Sequence, residues 1–204
     1  MRIFFRSYQF TVAFFLVGFI LNACSENAFE RGNELYATKQ YEEAIVSYTS
    51  YLANHPKDAP SYFNRARALE EQGRISEALE DYKRAAKLDP FDPAFRMGSG
   101  MCSFRLEKYN QTIIDMGEVL KMNPQSAEAF YIKGVALIKI GNVQGALESY
   151  DNALRYDKQH AGAYFQRGVL KALSKKGGAC EDLKRAKSLG EEKALSALKK
   201  YCAS

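Results

Sequence analysis

The chain is poor in the residues that most often carry chemistry. Two histidines, His55 and His160, and four cysteines are all that its 204 residues offer as soft ligands or nucleophiles. Neither histidine lies near a cysteine or carboxylate cluster with ligand spacing, so no metal site is expected. Paired acid and base motifs are missing too, and Lys176-Gly177-Gly178 is too short to cradle a phosphate and reads as a turn. These gaps argue against an enzyme, a cofactor and a small-molecule substrate. Long apolar runs are also scarce. The conspicuous one, Phe10 to Leu21, has about a dozen residues, where a spanning helix needs roughly 20. The formal net charge is only +5, and nothing in its distribution demands nucleic acid.

What the chain does have is repetition. Gly32, Ala66, Gly100, Gly134 and Gly168 follow one another at intervals of 34 residues. Twelve positions after each come Ala44, Ala78, Thr112, Ala146 and Cys180. Four further on stand Tyr48, Tyr82, Met116 and Tyr150, and Pro56, Pro90 and Pro124 close three of the units. Such a period belongs to a solenoid of stacked helix pairs, which is a binding scaffold. In this pattern the small residue of one helix is expected to face the alanine of its partner, and the tyrosines to fill the gap between successive pairs. Proline then stops the second helix.

These columns resemble the tetratricopeptide repeat over most of the chain. The resemblance implies an all-α, right-handed superhelical solenoid. Five repeats are expected within 27–190, at about 25–58, 59–92, 93–126, 127–160 and 161–190, followed by a capping helix over 191–204.

The first residues form a different category. Arg2 and Arg6 precede the uncharged run, which reads as an export signal over residues 1–23. Its end, Leu21-Asn22-Ala23-Cys24, resembles the lipobox of bacterial lipoproteins, with Asn22 departing from the usual small or aliphatic residue. That resemblance implies acylation of Cys24, a short tether over 24–26, and a protein anchored to a membrane without spanning it. Ser25, where enterobacterial relatives retained at the inner membrane carry aspartate, points to the outer membrane. The expected location is the cell envelope, facing periplasm or surface.

Without residues 1–23 the balance is 27 basic against 24 acidic residues, with the excess gathered after Ala161. Lys171, Lys175 and Lys176 belong to this basic end, whose readings are a solvated face or a contact with an acidic partner or lipid headgroups. Cys180 and Cys202 bracket the last two helical segments. In a helical hairpin those ends lie side by side, so a disulfide would staple the cap in an oxidising compartment. The string Ala179-Cys180-Glu181-Asp182 also resembles the closing unit of exported tetratricopeptide lipoproteins, in which a second cysteine follows. The other reading leaves Cys180 as the small member of its column and Cys202 at a frayed end. Cys102 is expected to be a small buried hydrophobe.

In the family the first helix of each unit lines a concave groove, which places the candidate partner-binding residues. Three positions before the column come Phe29, Phe63, Met97, Tyr131 and Phe165. One position after it come Asn33, Arg67, Met101, Val135 and Val169. Asn64, Phe104 and Ile138 share the same face. The groove so read is polar near Asn33, Asn64 and Arg67 and apolar from Met97 to Ile138, suited to an amphipathic helix or apolar peptide. Packing between units, or a chain end folded into the groove, would account for the same side chains. Family members that clamp a chaperone carboxylate need lysine and arginine where this chain has Phe29, Ala94 and Gly98, so that ligand is not expected. The function implied is a membrane-anchored adaptor for an envelope protein. A holdase for exported or outer-membrane clients is the alternative.

Overall fold

The computed structural model describes residues 28–202, which fall into two compact units on either side of Asp89 and Pro90. The expectations about the export signal, Cys24 and the tether lie outside the described residues. Among those residues the structure is all helix, with eleven helices and no strand.

The first unit holds α1 (described over 28–37), α2 (Tyr41–Asn54), α3 (Ala59–Glu71) and α4 (Ile75–Leu88). The second holds α5 (Pro93–Arg105), α6 (Tyr109–Met122), α7 (Ala127–Lys139), α8 (Val143–Tyr156), α9 (Ala161–Leu173), α10 (Ala179–Ser188) and α11 (Lys193–Tyr201).

Local chemistry sets the boundaries. Asp58 caps α3 by accepting from the Ser61 amide at 2.8 Å, and Asp92 does the same for α5 through Ala94 at 2.8 Å. Pro60 and Pro93 sit in the first turns, where a missing N–H costs nothing. Pro56, Pro90 and Pro124 each stand two residues beyond the end of α2, α4 and α6. Lys158 has replaced the proline after α8, yet that helix stops at the same place. There the Asp157 carboxylate accepts from the Gln159 amide at 2.8 Å, an Asx turn that diverts the chain.

The turn inside each pair has a column that sequence reading did not pick out. Lys39, Gly73, Glu107, Gly141 and Lys175, seven residues after each small residue, all have positive φ, between 53° and 80°. In each, the following amide reaches back to the helix end; Lys108 N–H donates to the Ser103 carbonyl at 2.8 Å, for example. Glycine makes this bend without strain in two of the five.

Among the second helices α4 and α8 are strongly amphipathic. In α8, Ala146, Leu147, Tyr150, Ala153 and Leu154 are buried at the spacing of one helical face, and α4 repeats the arrangement with Ala78, Leu79, Tyr82, Ala85 and Ala86. Each such leucine contributes about 1.5–3 kcal/mol by leaving water.

The structure adds a contact to the packing expected of these columns. Gly32, Gly100 and Gly134 are each roofed by the large residue sixteen positions on, within the same helix pair, and Gly168 by Leu183 and Asp182. A Cβ on Gly32 would fall 2.6 Å from the Tyr48 ring, and one on Gly100 would strike the Met116 methyl. Thr112, in the column expected to face the glycine, reaches the Gly100 carbonyl at 3.2 Å. The backbones do approach there, but the tyrosines and Met116 fill the space above the glycine itself. Tyr150 also belongs to the cluster that includes Leu170, so it joins its own pair to the next.

Candidate ligand-binding faces

In the first unit the candidate residues make a polar network on an aromatic floor. The Asn33 side-chain oxygen accepts from the Tyr48 hydroxyl at 2.8 Å and from the Asn64 amide at 3.1 Å. Arg67 lies over the Tyr36 ring at 4.6 Å and near the Phe63 ring at 5.9 Å, a cation held by π faces. Phe29 leans on Tyr48 and Tyr51, and Phe63 meets Tyr82 edge-on. Tyr82 in turn donates to Glu70 at 2.5 Å. Burial pushes the Tyr48 phenol up to about 12, with Arg67 pulling it the other way. This face can offer an exposed guanidinium on an aromatic seat, but its two asparagines are already committed to each other.

In the second unit a recess of about 220 Å³ opens between α5 and α7. Met101, Phe104, Tyr131, Ile132 and Val135 line it, and Arg105 and Glu128 supply one charge of each sign. Met101 is 45% exposed, whereas Tyr131, Ile132 and Val135 are half-buried and pack inward on core clusters. Tyr131 meets Tyr150 and the His160 ring, and its hydroxyl shares a hydrogen bond with Gln166; burial raises its phenol above the ordinary value. His160 caps α9, accepting from the Ala163 amide at 3.2 Å, with Nε2 3.3 Å from Glu128. A pocket so lined can bury one or two bulky apolar side chains, and Arg105 and Glu128 bear on whatever flanks them.

The remaining candidates fall outside the recess. Met97 packs against Met116 and Val119, and Ile138 against Leu137 and Tyr150, so both serve the core. Phe165 and Val169 are half-buried on α9. Arg105 and Glu128 were missed in the sequence, because they stand five positions after and six before members of the small column, off the face that periodicity selects.

Ion pairs fix the helices beneath these faces. Arg65 grips Asp81 with two bonds, at 2.7 and 2.8 Å, and Arg167 grips Asp182 at 2.8 and 2.6 Å, where Lys171 also bonds at 2.8 Å. Burial by itself would lower the Arg167 pKa, but its bonds to Asp182 and Asp151 raise it. In the third repeat Ser99 donates to buried Asp115 at 2.9 Å from the equivalent place. Cys180 and Cys202 are joined as a disulfide with 5.8 Å between their Cα atoms, while Cys102 is buried within α5. Among the described residues no group of His, Cys, Asp and Glu is placed to hold a metal ion, and no helix is long and apolar enough to cross a membrane.

The model of the tetratricopeptide repeat matches residues 29–93, 63–110 and 115–163, more than half of the chain. The chain belongs to the tetratricopeptide repeat family. Its repeats are 33% identical over 104 residues to Hsp70-Hsp90 organizing protein 1 of Glycine max, which is 51% of this chain and 18% of that protein. DnaJ homolog subfamily C member 7 of Homo sapiens is 33% identical over 100 residues, 49% of this chain and 20% of that one. The chain thus spans about a fifth of the length of these curated relatives. Among solved structures MamA superposes with a TM-score of 0.77 at 19% identity, covering 85% of this chain and 96% of MamA. YrrB, described as a TPR protein with an unusual peptide-binding site, gives 0.73 at 21% identity, with 84% and 90% covered. These likenesses show a tetratricopeptide solenoid, a fold that serves as a scaffold for protein or peptide partners.

Proposed function

We propose that this tetratricopeptide protein is a lipid-anchored adaptor of a bacterial cell envelope, holding an apolar segment of a partner protein in the recess between α5 and α7. The observation that carries the reading is that recess, about 220 Å³ lined by five apolar side chains with Met101 turned outward. An amphipathic helix or extended peptide fits it through one or two large apolar residues, and methionine adapts to their shape. Leu21-Asn22-Ala23-Cys24 supports the anchor, and a cystine between Cys180 and Cys202 suits an oxidising compartment.

The test replaces Met101 with aspartate. Because this side chain is exposed, the melting temperature is expected to stay the same while capture of a stoichiometric partner, crosslinked in intact cells, is lost. Unchanged capture would refute the recess as the binding site, and enrichment of many unrelated unfolded proteins would make the chain a holdase. Mass spectrometry that finds an unmodified Cys24 would remove the anchor and leave the recess standing.

A further inference from the structure

The second unit has one edge whose chemistry the recess does not use. The turns joining the helices of its last two full pairs, 139–143 and 173–178, lie together, since Lys176 donates to Gln144 across them at 3.4 Å. Lys139 also approaches the ring of Tyr109, which begins α6, so the preceding turn belongs to the same edge. From these turns three aliphatic side chains project into solvent: Leu173 at 64% exposure, Ile140 at 45% and Val143 at 40%. Exposed Lys139, Lys175 and Lys176 stand between them. At the other ends of the helices the turn before α9 balances Asp157 with Lys158, and the turn before α11 is acidic through Glu191 and Glu192.

The three aliphatic side chains and the three lysines share neighbouring turn tips and so form one amphipathic strip. A recess would suit a folded protein partner, but these side chains protrude from turn tips along an edge. Protruding aliphatics flanked by long cationic side chains match a planar anionic bilayer. The aliphatics enter the headgroup boundary while the lysine stems lie along it and their ammonium groups meet lipid phosphates. The geometry points to this edge as a second membrane contact, one that docks the body of the protein on anionic lipid whether or not Cys24 is acylated. Each lysine beside an anionic leaflet favours the bound state about fivefold, so three together contribute about a hundredfold, and salt screens the attraction.

The sequence contains no tryptophan, which makes a single introduced indole a clean reporter. Full-length Leu173→Trp is reconstituted on vesicles of phosphatidylcholine alone and of phosphatidylcholine with phosphatidylglycerol. Blue-shifted emission and quenching by brominated lipid are expected on the anionic vesicles only, and lost at high salt. Gln159→Trp, on the opposite edge, is expected to show neither. Adding Lys139→Glu, Lys175→Glu and Lys176→Glu should abolish the quenching with the helical circular dichroism unchanged. Ile140→Trp repeats the measurement independently at the neighbouring turn. Quenching that persists on neutral vesicles, or equals that of Gln159→Trp, would overturn the proposal. So would its absence from both reporters, the outcome expected if the edge meets an acidic protein.

Discussion

A Cβ placed on Gly134 would fall 2.5 Å from Cε1 of Tyr150, so the missing side chain at one position is the seat of the ring at the other. Gly134→Ala must displace that ring, which shares a core cluster with Leu137 and Leu170. The clash costs about 1–3 kcal/mol, and alanine's better helix propensity returns at most about 1 kcal/mol. Net destabilisation is therefore expected in urea denaturation. Gly100→Ala should cost less, because the nearest obstacle is the mobile methyl end of Met116. The column already holds an alanine at Ala66, opposite Tyr82, but there the tyrosine hydroxyl has Glu70 to bond. No described residue bonds the Tyr150 hydroxyl, so a displaced Tyr150 ring has no such compensation.

Alkali should expose the same architecture in the first unit. Burial raises the Tyr48 phenol from 10.0 to about 12, so folding favours its neutral form. The associated stability is complete below pH 10 and is lost as pH rises through the folded value. Tyr48→Phe gives up the bond to Asn33, worth about 1 kcal/mol at neutral pH, and should flatten the fall in melting temperature between pH 9.5 and 11.5. An unchanged alkaline slope would mean that the phenol is not held neutral by the fold.

The columns of small and aromatic residues were legible in the sequence because helix packing leaves a fixed period when every pair packs alike. Gly32 and Gly134 announced a close approach, but the period could not tell which residue makes it, since Ala44 and Tyr48 stand one turn apart on the same face. The turn column was hidden for another reason: Lys39, Glu107 and Lys175 carry no sign of left-handed backbone, and the helix-ending hydrogen bonds impose it on them. The recess was half legible. Its apolar wall follows the repeat, whereas Arg105 and Glu128 come near it only through the packing of α5 and α7.

The turn column gives a stabilising substitution. Glu107 adopts a φ of 58°, a conformation that costs a residue with a Cβ about 1 kcal/mol and glycine almost nothing. Glu107→Gly is therefore expected to raise stability slightly, even though glycine also loosens the unfolded chain. Gly141→Ala, at the same register with φ 80°, should lower it by a similar amount. Thermal melts of the two variants, compared with the parent, test the opposite signs.

Buried Asp182 depends on Arg167 for two bonds and on Lys171 for one. Arg167→Ala leaves a carboxylate at 7% side-chain exposure with Lys171 alone, a loss of about 2–4 kcal/mol. Arg167→Lys should recover only part of it, because an ammonium group cannot make the paired contact. The double variant Arg167→Met with Asp182→Leu is expected to be more stable than Arg167→Ala, since it removes the stranded charge together with its partner. The reverse order would show that the pair itself, rather than the cost of stranding Asp182, sustains the last repeat.

The closing helix has little else to hold it. Of the nine residues of α11 only Ala194 and Ala197 are buried, so apolar contact with α9 and α10 is slight and an isolated helix of this length is unstable in water. The bond from Cys180 to Cys202 closes a segment of 22 residues, which by chain entropy is worth about 3 kcal/mol, comparable to what such a helix needs to remain docked. Cys202→Ser should therefore release α11 while the helix pairs before it keep their structure. Amide exchange over 193–201 is expected to become fast, with α7 and α8 still protected. If exchange over 193–201 stays slow in Cys202→Ser, the cap is held by packing and the cystine is incidental to it.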